Sequence, residues 1–180
     1  MLTSINRSTE YTPRTAAKGR RRYPARTLHL IDVENLAGTG VPGRDQVGAV
    51  HSWYGRRVGF GAVDHVVVAC NHLALADTAL GWPHARYRVR SGPDGADLEL
   101  LDVLYNENVA ERYTQFVIAS GDGVFAAAAA SLATASRWVT VVSRRECLST
   151  RLRLAACDVI YIDATEPAID AVRRPRPEVA

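Results

Sequence analysis

From residue 27 to residue 163, short apolar runs alternate with stretches in which apolar residues recur every three or four positions. The short runs are typical of β-strands, because strands that are buried on both faces read as continuous apolar segments. We predict strands within residues 27–33, 64–71, 85–91, 114–123, 137–146 and 157–163. The third of these is more polar than the others, which suits a strand at the edge of a sheet.

The intervening stretches have the spacing of amphipathic helices. In residues 43–59, Val47, Val50 and Tyr54 recur at intervals of three and four. Residues 92–113 form the longest such stretch, and we predict one helix there that opens near Asp97. Its predicted apolar stripe comprises Leu98, Leu101, Leu104, Tyr105 and Val109. Further helices are predicted within residues 72–82, 124–136 and 149–156.

Strands that alternate with helices predict an α/β fold, because parallel strands need crossover connections and helices supply them. We expect a PIN-like or Rossmann-like, doubly wound, mostly parallel sheet of about five to six strands, with helices on both faces. Residues 27–164 are expected to form this one domain. Residues 1–26 are expected to be a basic disordered arm, and residues 165–180 a flexible tail.

Charge is unevenly distributed along the 180 residues. Residues 1–26 carry +6 and residues 173–180 carry +2, so the total of +3 leaves −5 on residues 27–172. An arginine-rich arm suits a polyanion, because each arginine that neutralises a phosphate releases condensed counterions. A solubilising tail is the other interpretation of the arm.

Cysteine usage and hydropathy indicate the cellular compartment. The three cysteines form no CxxC pair, and no apolar run reaches 18 residues. We therefore expect a protein of the reducing cytoplasm that has no membrane-spanning segment.

Three aspartates and an asparagine fall where predicted strands and helices meet. Asp32 and Asn35 follow the first strand, Asp122 follows the fourth, and Asp97 opens the helix before the fourth. The carboxyl ends of parallel strands share one edge, where ligands bind in α/β sheets. Three carboxylates held together repel one another unless they are protonated or bridged by a cation such as Mg²⁺ or Mn²⁺. We therefore expect a shared metal site at this edge.

Each of these acids also has a purely structural interpretation. Asp97 and Asp122 are suited to capping the helices that they precede or open. Asp32 is harder to explain in this way, because an unpaired carboxylate at the end of a buried strand costs several kcal/mol. His72 follows the second strand at the same predicted edge, and it is an auxiliary candidate for contact with phosphate or for proton transfer.

The stretches "LIDVENLAG", "GADLELLDVL" and "VIASGDGVF", in this order, resemble the NYN branch of the PIN-like nuclease superfamily. The resemblance covers residues 27–163 and implies metal-dependent hydrolysis of RNA phosphodiesters. It implies a catalytic group of Asp32, Asn35, Asp97 and Asp122. The three aspartates would be ligands of Mg²⁺ or Mn²⁺, and Asn35 would orient a ligand or a water molecule.

Two positions depart from the pattern of that family. Many members have a second acid two residues after the aspartate of the Ser-Gly-Asp turn, where this chain has Val124. Many also have lysine three residues before the helix aspartate, where this chain has Asp94, a candidate substitute carboxylate. One alternative is therefore a catalytically weak or inactive RNA-binding or assembly module. A phosphatase that uses the same acids is the other.

An acidic pocket repels RNA in the absence of metal, so recruitment of RNA needs positive surface elsewhere. Seven arginines near the fifth strand and in the arm are candidates for RNA binding: Arg144, Arg145, Arg151, Arg153, Arg20, Arg21 and Arg22. A solvated helix face is the other interpretation of the first four.

Overall fold

The computed structural model describes residues 26–162. Apart from Arg26, the predicted arm and tail lie outside the described residues, as do Arg20, Arg21 and Arg22. The strands are β1 (Thr27–Asp32), β2 (His65–Cys70), β3 (Arg86–Val89), β4 (Gln115–Ala119), β5 (Trp138–Arg144) and β6 (Asp158–Ile162). The α-helices are α1 (Val33–Ala37), α2 (Arg44–Arg57), α3 (Leu75–Gly81), α4 (Gly95–Asn106), α5 (Val109–Arg112), α6 (Ala126–Thr134) and α7 (Thr150–Ala155).

The strands form one parallel, six-stranded sheet in the order β3-β2-β1-β4-β5-β6. The expected α/β class is confirmed, and β3 lies at an edge as predicted. Strand β1 is central: Leu30 stands beside Val67 of β2 and Ile118 of β4. The order of the strands reverses between β1 and β4, so the carboxyl ends of these two strands form the switch point of the sheet.

Alternation along β1 sends its side chains into two separate cores. Leu28 and Leu30 pack in the core that α4 and α6 cover, whereas Ile31 packs in the core that α1, α2 and α3 cover. Because helices cover both faces of the sheet, the sequences of the central strands are continuous apolar runs. None of the helices within residues 26–162 is long and apolar enough to cross a membrane.

Helix α4 differs from the helix that the periodicity predicts over residues 92–113. It ends at Asn106, and α5 follows Asn108, which has a positive φ of 50°. The buried face of α4 consists of Gly95, Ala96, Asp97, Leu100, Val103 and Leu104. Leu98 and Tyr105 of the predicted stripe are 40% and 58% exposed. The other three residues of the predicted stripe, Leu101, Leu104 and Val109, pack in or against the core as predicted. The stripe was wrong for Leu98 and Tyr105, because the packed face includes Asp97, which a hydropathy pattern assigns to solvent.

Leu30 allows a direct test of the core that α4 and α6 cover. Leu30→Ala should lower the free energy of unfolding by about 2–5 kcal/mol, because it leaves a cavity at a fully buried site in the central strand. Leu154→Ala is the matched control: Leu154 is 72% exposed, so the same change should stay within about 0.5 kcal/mol. Urea unfolding of both variants measures the difference, and equal losses would contradict the assigned core.

Candidate active site

Asp32 ends β1 at the switch point, where it is 4% exposed. Its Oδ1 accepts a hydrogen bond from the amide of Asn35 at 3.0 Å, so Asp32 caps α1. Its Oδ2 accepts from the hydroxyl of Ser120 at 3.3 Å. Burial raises the pKa of Asp32, and these two donors oppose that shift by stabilising the ionised form. A carboxylate is therefore held in place where β1 meets β4.

Asn35 ties together the ends of three strands. Its side-chain oxygen accepts from the amide of Gly121 at 3.0 Å, after β4. Its backbone oxygen accepts from Arg144 Nε at 3.2 Å, at the end of β5. Gly121 is required in this turn, because a Cβ there would lie 2.5 Å from the backbone oxygen of Cys147. Asn35 thus joins the residues that follow β1 to the turn after β4 and to the end of β5.

Asp97 reaches the same point from the first turn of α4 and is 7% exposed. Its carboxyl group is close enough to that of Asp32 for each to affect the pKa of the other, and its Oδ1 is buried without any hydrogen-bond partner among the described residues. Burial raises the pKa of Asp97 to about 8, and the charges of Asp32, Asp122 and Asp94 add to the effect. Because Asp97 lacks the donors that Asp32 has, Asp97 is the member of the pair that retains a proton.

Asp122 lies close enough for its charge to act on Asp97, but its side chain has a local role as well. Its Oδ1 accepts from the amide of Val124 at 2.9 Å, which caps the 3₁₀ turn Gly123–Phe125 ahead of α6. The capping interpretation is therefore correct for this oxygen. Val124, the second residue after Asp122, is 41% exposed.

As the side chains stand, no group of three or more His, Cys, Asp or Glu residues within 26–162 is disposed to hold a metal ion. Two paired carboxyl groups with an unpartnered buried oxygen nevertheless form the oxygen donor set that Mg²⁺ and Mn²⁺ prefer. The donor chemistry fits a divalent cation on Asp32 and Asp97, with Asp122 nearby.

Glu34, for which the sequence predicts no role, lies beside this group. Its Oε1 accepts from the backbone amide of Asn71, which follows β2. Burial raises the pKa of Glu34; the bond from Asn71 opposes the shift, and the charge of Asp32 adds to it. Ser120 was also missed, although its position in the Ser-Gly-Asp turn was a usable signal.

The auxiliary candidates are placed differently. Asp94 occupies the N-cap position of α4 with a φ of 55°, makes no capping hydrogen bond, and acts on Asp97 through its charge. His72 is exposed and pairs with the hydroxyl of Ser91 at 2.9 Å. The contacts described for His72 include none of the three aspartates.

The predicted arginine cluster is divided between contacts and open surface. Arg144 donates to Asn35, as above, and its Nη1 lies 3.4 Å from Glu146. Arg145 stacks over the ring of Tyr161 at 4.1 Å. Arg151 and Arg153 are exposed on α7, which packs against the 3₁₀ turn after Asp122.

Comparisons with known proteins bear on the fold. No protein-family model and no curated protein matches the chain. The chain is similar to a Vibrio parahaemolyticus protein of unknown function, with 16% identity and a TM-score of 0.50 over 78% of this chain and 94% of that one. It is also similar to the "putative Mar1 ribonuclease" of Leishmania major, with 12% identity and a TM-score of 0.40 over 87% and 94% of the two chains. The first likeness supports the fold alone, and the second is too distant to carry an argument.

The raised pKa of Asp97 predicts a stability that depends on pH. Between the ordinary pKa of 3.8 and the value of about 8 in the fold, the native state binds a proton that the unfolded state has released, so stability falls as pH rises. Asp97→Asn removes this titration. Its free energy of unfolding relative to wild type should therefore increase between about pH 5 and pH 8 in EDTA, as measured by guanidinium unfolding.

Asp102→Asn is the control on the same helix. Asn106 and Arg88 lower the pKa of Asp102, so this variant should not gain relative stability as pH rises. If both variants respond to pH alike, Asp97 is not the group that titrates.

Proposed function

We propose that the chain is a metal-dependent ribonuclease whose site is the carboxylate group at the carboxyl edge of the sheet. The observation that carries the proposal is the buried pair of Asp32 and Asp97, in which Asp97 Oδ1 has no hydrogen-bond partner in the described chain. A buried carboxyl oxygen without a partner is costly, so its retention at a ligand-binding edge favours a functional role. A divalent cation would supply the missing partner.

Asp32, Asp97 and Asp122 would hold the cation. When bound, Mg²⁺ or Mn²⁺ would neutralise the oxygens of a scissile phosphate and activate water. Asp122 is compatible with this role, because its cap uses only Oδ1. Replacing the proton of Asp97 by a cation would relieve the repulsion between the aspartates.

The remaining groups of the chain would position these ligands. Ser120 donates to Asp32 and fixes the orientation of its carboxylate. Asn35 holds the amide of Gly121, and through it the turn that carries Asp122. The N-terminal end of α4 carries a partial positive charge, which favours the ionised form of Asp97 once a cation has displaced its proton.

RNA is the proposed substrate because the charge distribution suits it. The body of the chain is acidic, so basic segments must attract a polyanion. The arginine-rich arm, including Arg20, Arg21 and Arg22, would provide long-range attraction. Arg144, Arg145, Arg151 and Arg153 would provide positive charge at the end of β5 and on α7.

A second candidate, an RNA-binding module with weak or no catalysis, is favoured by one observation. Asp122 accepts a capping bond, and Val124 stands where an additional acid would complete the site. With fewer acids the metal would bind loosely.

The two candidates are separated by cleavage of a labelled RNA pool in Mn²⁺, Mg²⁺ or EDTA. We expect slow cleavage that needs the metal, with Asp32→Asn and Asp97→Asn each reducing the rate by about 100-fold or more. Mn²⁺ at about ten times its dissociation constant should also raise the melting temperature of wild type by about 3 °C, because it binds the native state only. Neither aspartate variant should show that rise.

Asp102→Asn removes a carboxylate from α4 outside the site and should leave both readouts unchanged. Val124→Asp should increase cleavage and the thermal shift by Mn²⁺, because it restores an acid beside Asp122. Metal-dependent stabilisation without cleavage would favour the binding module, and the absence of both would refute the metal site.

A further inference from the structure

A second polar site lies at the opposite edge of the sheet. A cavity of about 240 Å³ opens there, between the starts of β1, β2 and β3 and the ends of α4 and α5. Strand β1 is six residues long, so about 16 Å separates this amino edge from the aspartates. The cavity is therefore independent of the proposed ribonuclease site.

Tyr113 and Arg112 line this cavity, and Arg26 lies beside it. The guanidinium groups of Arg26 and Arg112 lie 5.2 Å and 5.4 Å from the centroid of the Tyr113 ring. Its hydroxyl group is hydrogen-bonded to Nδ1 of His65 and lies 3.4 Å from Nη2 of Arg112. Arg26 is held in place through its backbone oxygen, which accepts from the amide of Thr114.

The directions of these hydrogen bonds determine whether the hydroxyl group of Tyr113 donates to any of its described contacts. Arg26 Nη2 lies 3.3 Å from Nε2 of His65, and a guanidinium group only donates, so Nε2 is the acceptor. The proton of the neutral ring is then on Nδ1, which donates to the oxygen of Tyr113. Burial and the charges of Arg26 and Arg112 lower the pKa of His65, in agreement with a neutral ring. The hydroxyl hydrogen of Tyr113 consequently has no acceptor among its described contacts.

Among the described residues, no carboxylate forms an ion pair with either arginine around Tyr113. Glu107, which lines the cavity, is engaged by Arg86 in two hydrogen bonds of 2.6 Å. Asp64 accepts from the backbone amides of Thr27 and Gly61. Arg112 acts on Glu107 only at longer range. None of the ion pairs described within residues 26–162 contains Arg26 or Arg112.

We propose that this cavity binds a small oxyanion of the phosphate type through two lining groups, Arg112 and the hydroxyl group of Tyr113, and through Arg26, which lies beside the lining residue His65. Two guanidinium groups and a hydroxyl donor form charge-assisted hydrogen bonds with such an anion. The volume of the cavity is below the roughly 300–1,000 Å³ of pockets for larger ligands. The cavity therefore suits free phosphate or the terminal group of a phosphate monoester.

Thermal unfolding of the full chain in EDTA tests the proposal. A few millimolar sodium phosphate should raise the melting temperature by about 3 °C over sodium chloride of equal ionic strength. Arg112→Gln should abolish the rise, and Tyr113→Phe, which removes only the hydroxyl group, should at least halve it. Arg57→Gln removes an exposed arginine from the end of α2 and should keep the full rise.

Uridine 5′-monophosphate and uridine distinguish the two sources of the anion. Stabilisation by both phosphate and the monophosphate, but not by uridine, would identify a site open to monoesters, whereas a response to phosphate alone would identify a site for the free anion. The proposal is overturned if phosphate does not stabilise wild type, or if Arg112→Gln and Tyr113→Phe respond as strongly as Arg57→Gln. EDTA removes divalent cations, so the result does not depend on whether the ribonuclease proposal holds.

Discussion

The electrostatic coupling between the buried carboxyl groups of Asp32 and Asp97 is the interaction on which the carboxyl edge of this protein depends. Asp32 closes the central strand, and Asp97 opens the helix that crosses the sheet from β3 to β4. The crossover therefore brings a second carboxyl group to the point where strand order reverses. Two buried carboxyl groups in contact cannot both be ionised without a large cost, so one retains a proton or a cation takes its place.

The surrounding structure keeps this unfavourable contact in place. Ser120 and the amide of Asn35 stabilise the charge on Asp32, whereas Asp97 has an oxygen with no partner in the described chain. Asn35 joins the loops that follow β1 and β4 and meets Arg144 of β5. This arrangement lowers the free energy of unfolding, and the two apolar cores on either side of the sheet offset that loss. Native proteins often accept such a local cost where a site must be preorganised.

Much of the fold could be predicted from the sequence, because every strand except the more polar β3 is a distinct apolar run and the crossovers have helical spacing. The meeting of Asp32 and Asp97 followed from the rule that the carboxyl ends of parallel strands share an edge. The packed face of α4 could be predicted only in part, because hydropathy assigns Asp97 to solvent although it is 7% exposed. The cap formed by Asp122 was foreseen as an alternative, and only the direction of its side chain decided it.

Features that join distant parts of the chain were beyond sequence reasoning. The bond of Glu34 to Asn71 and the contact of His65 with Tyr113 each depend on loop positions that leave no local pattern. The residues that meet at each edge of the sheet are determined by the strand order, which the sequence does not specify. The family resemblance stays a hypothesis that rests on three short stretches, and the chemistry of the site is the stronger argument.

The most direct test of the central claim is a carbon-13 NMR titration of the Asp97 carboxyl group, assigned with Asp97→Asn, with and without Mg²⁺. The account predicts that the metal-free group titrates at a pKa of about 8, far above its ordinary 3.8, because burial and the neighbouring aspartates disfavour its charge. Mg²⁺ should lower that pKa strongly, because the cation and the proton compete for the same oxygens. An ordinary pKa of Asp97 in EDTA, or a raised pKa that Mg²⁺ does not change, would contradict a shared metal site on Asp32 and Asp97.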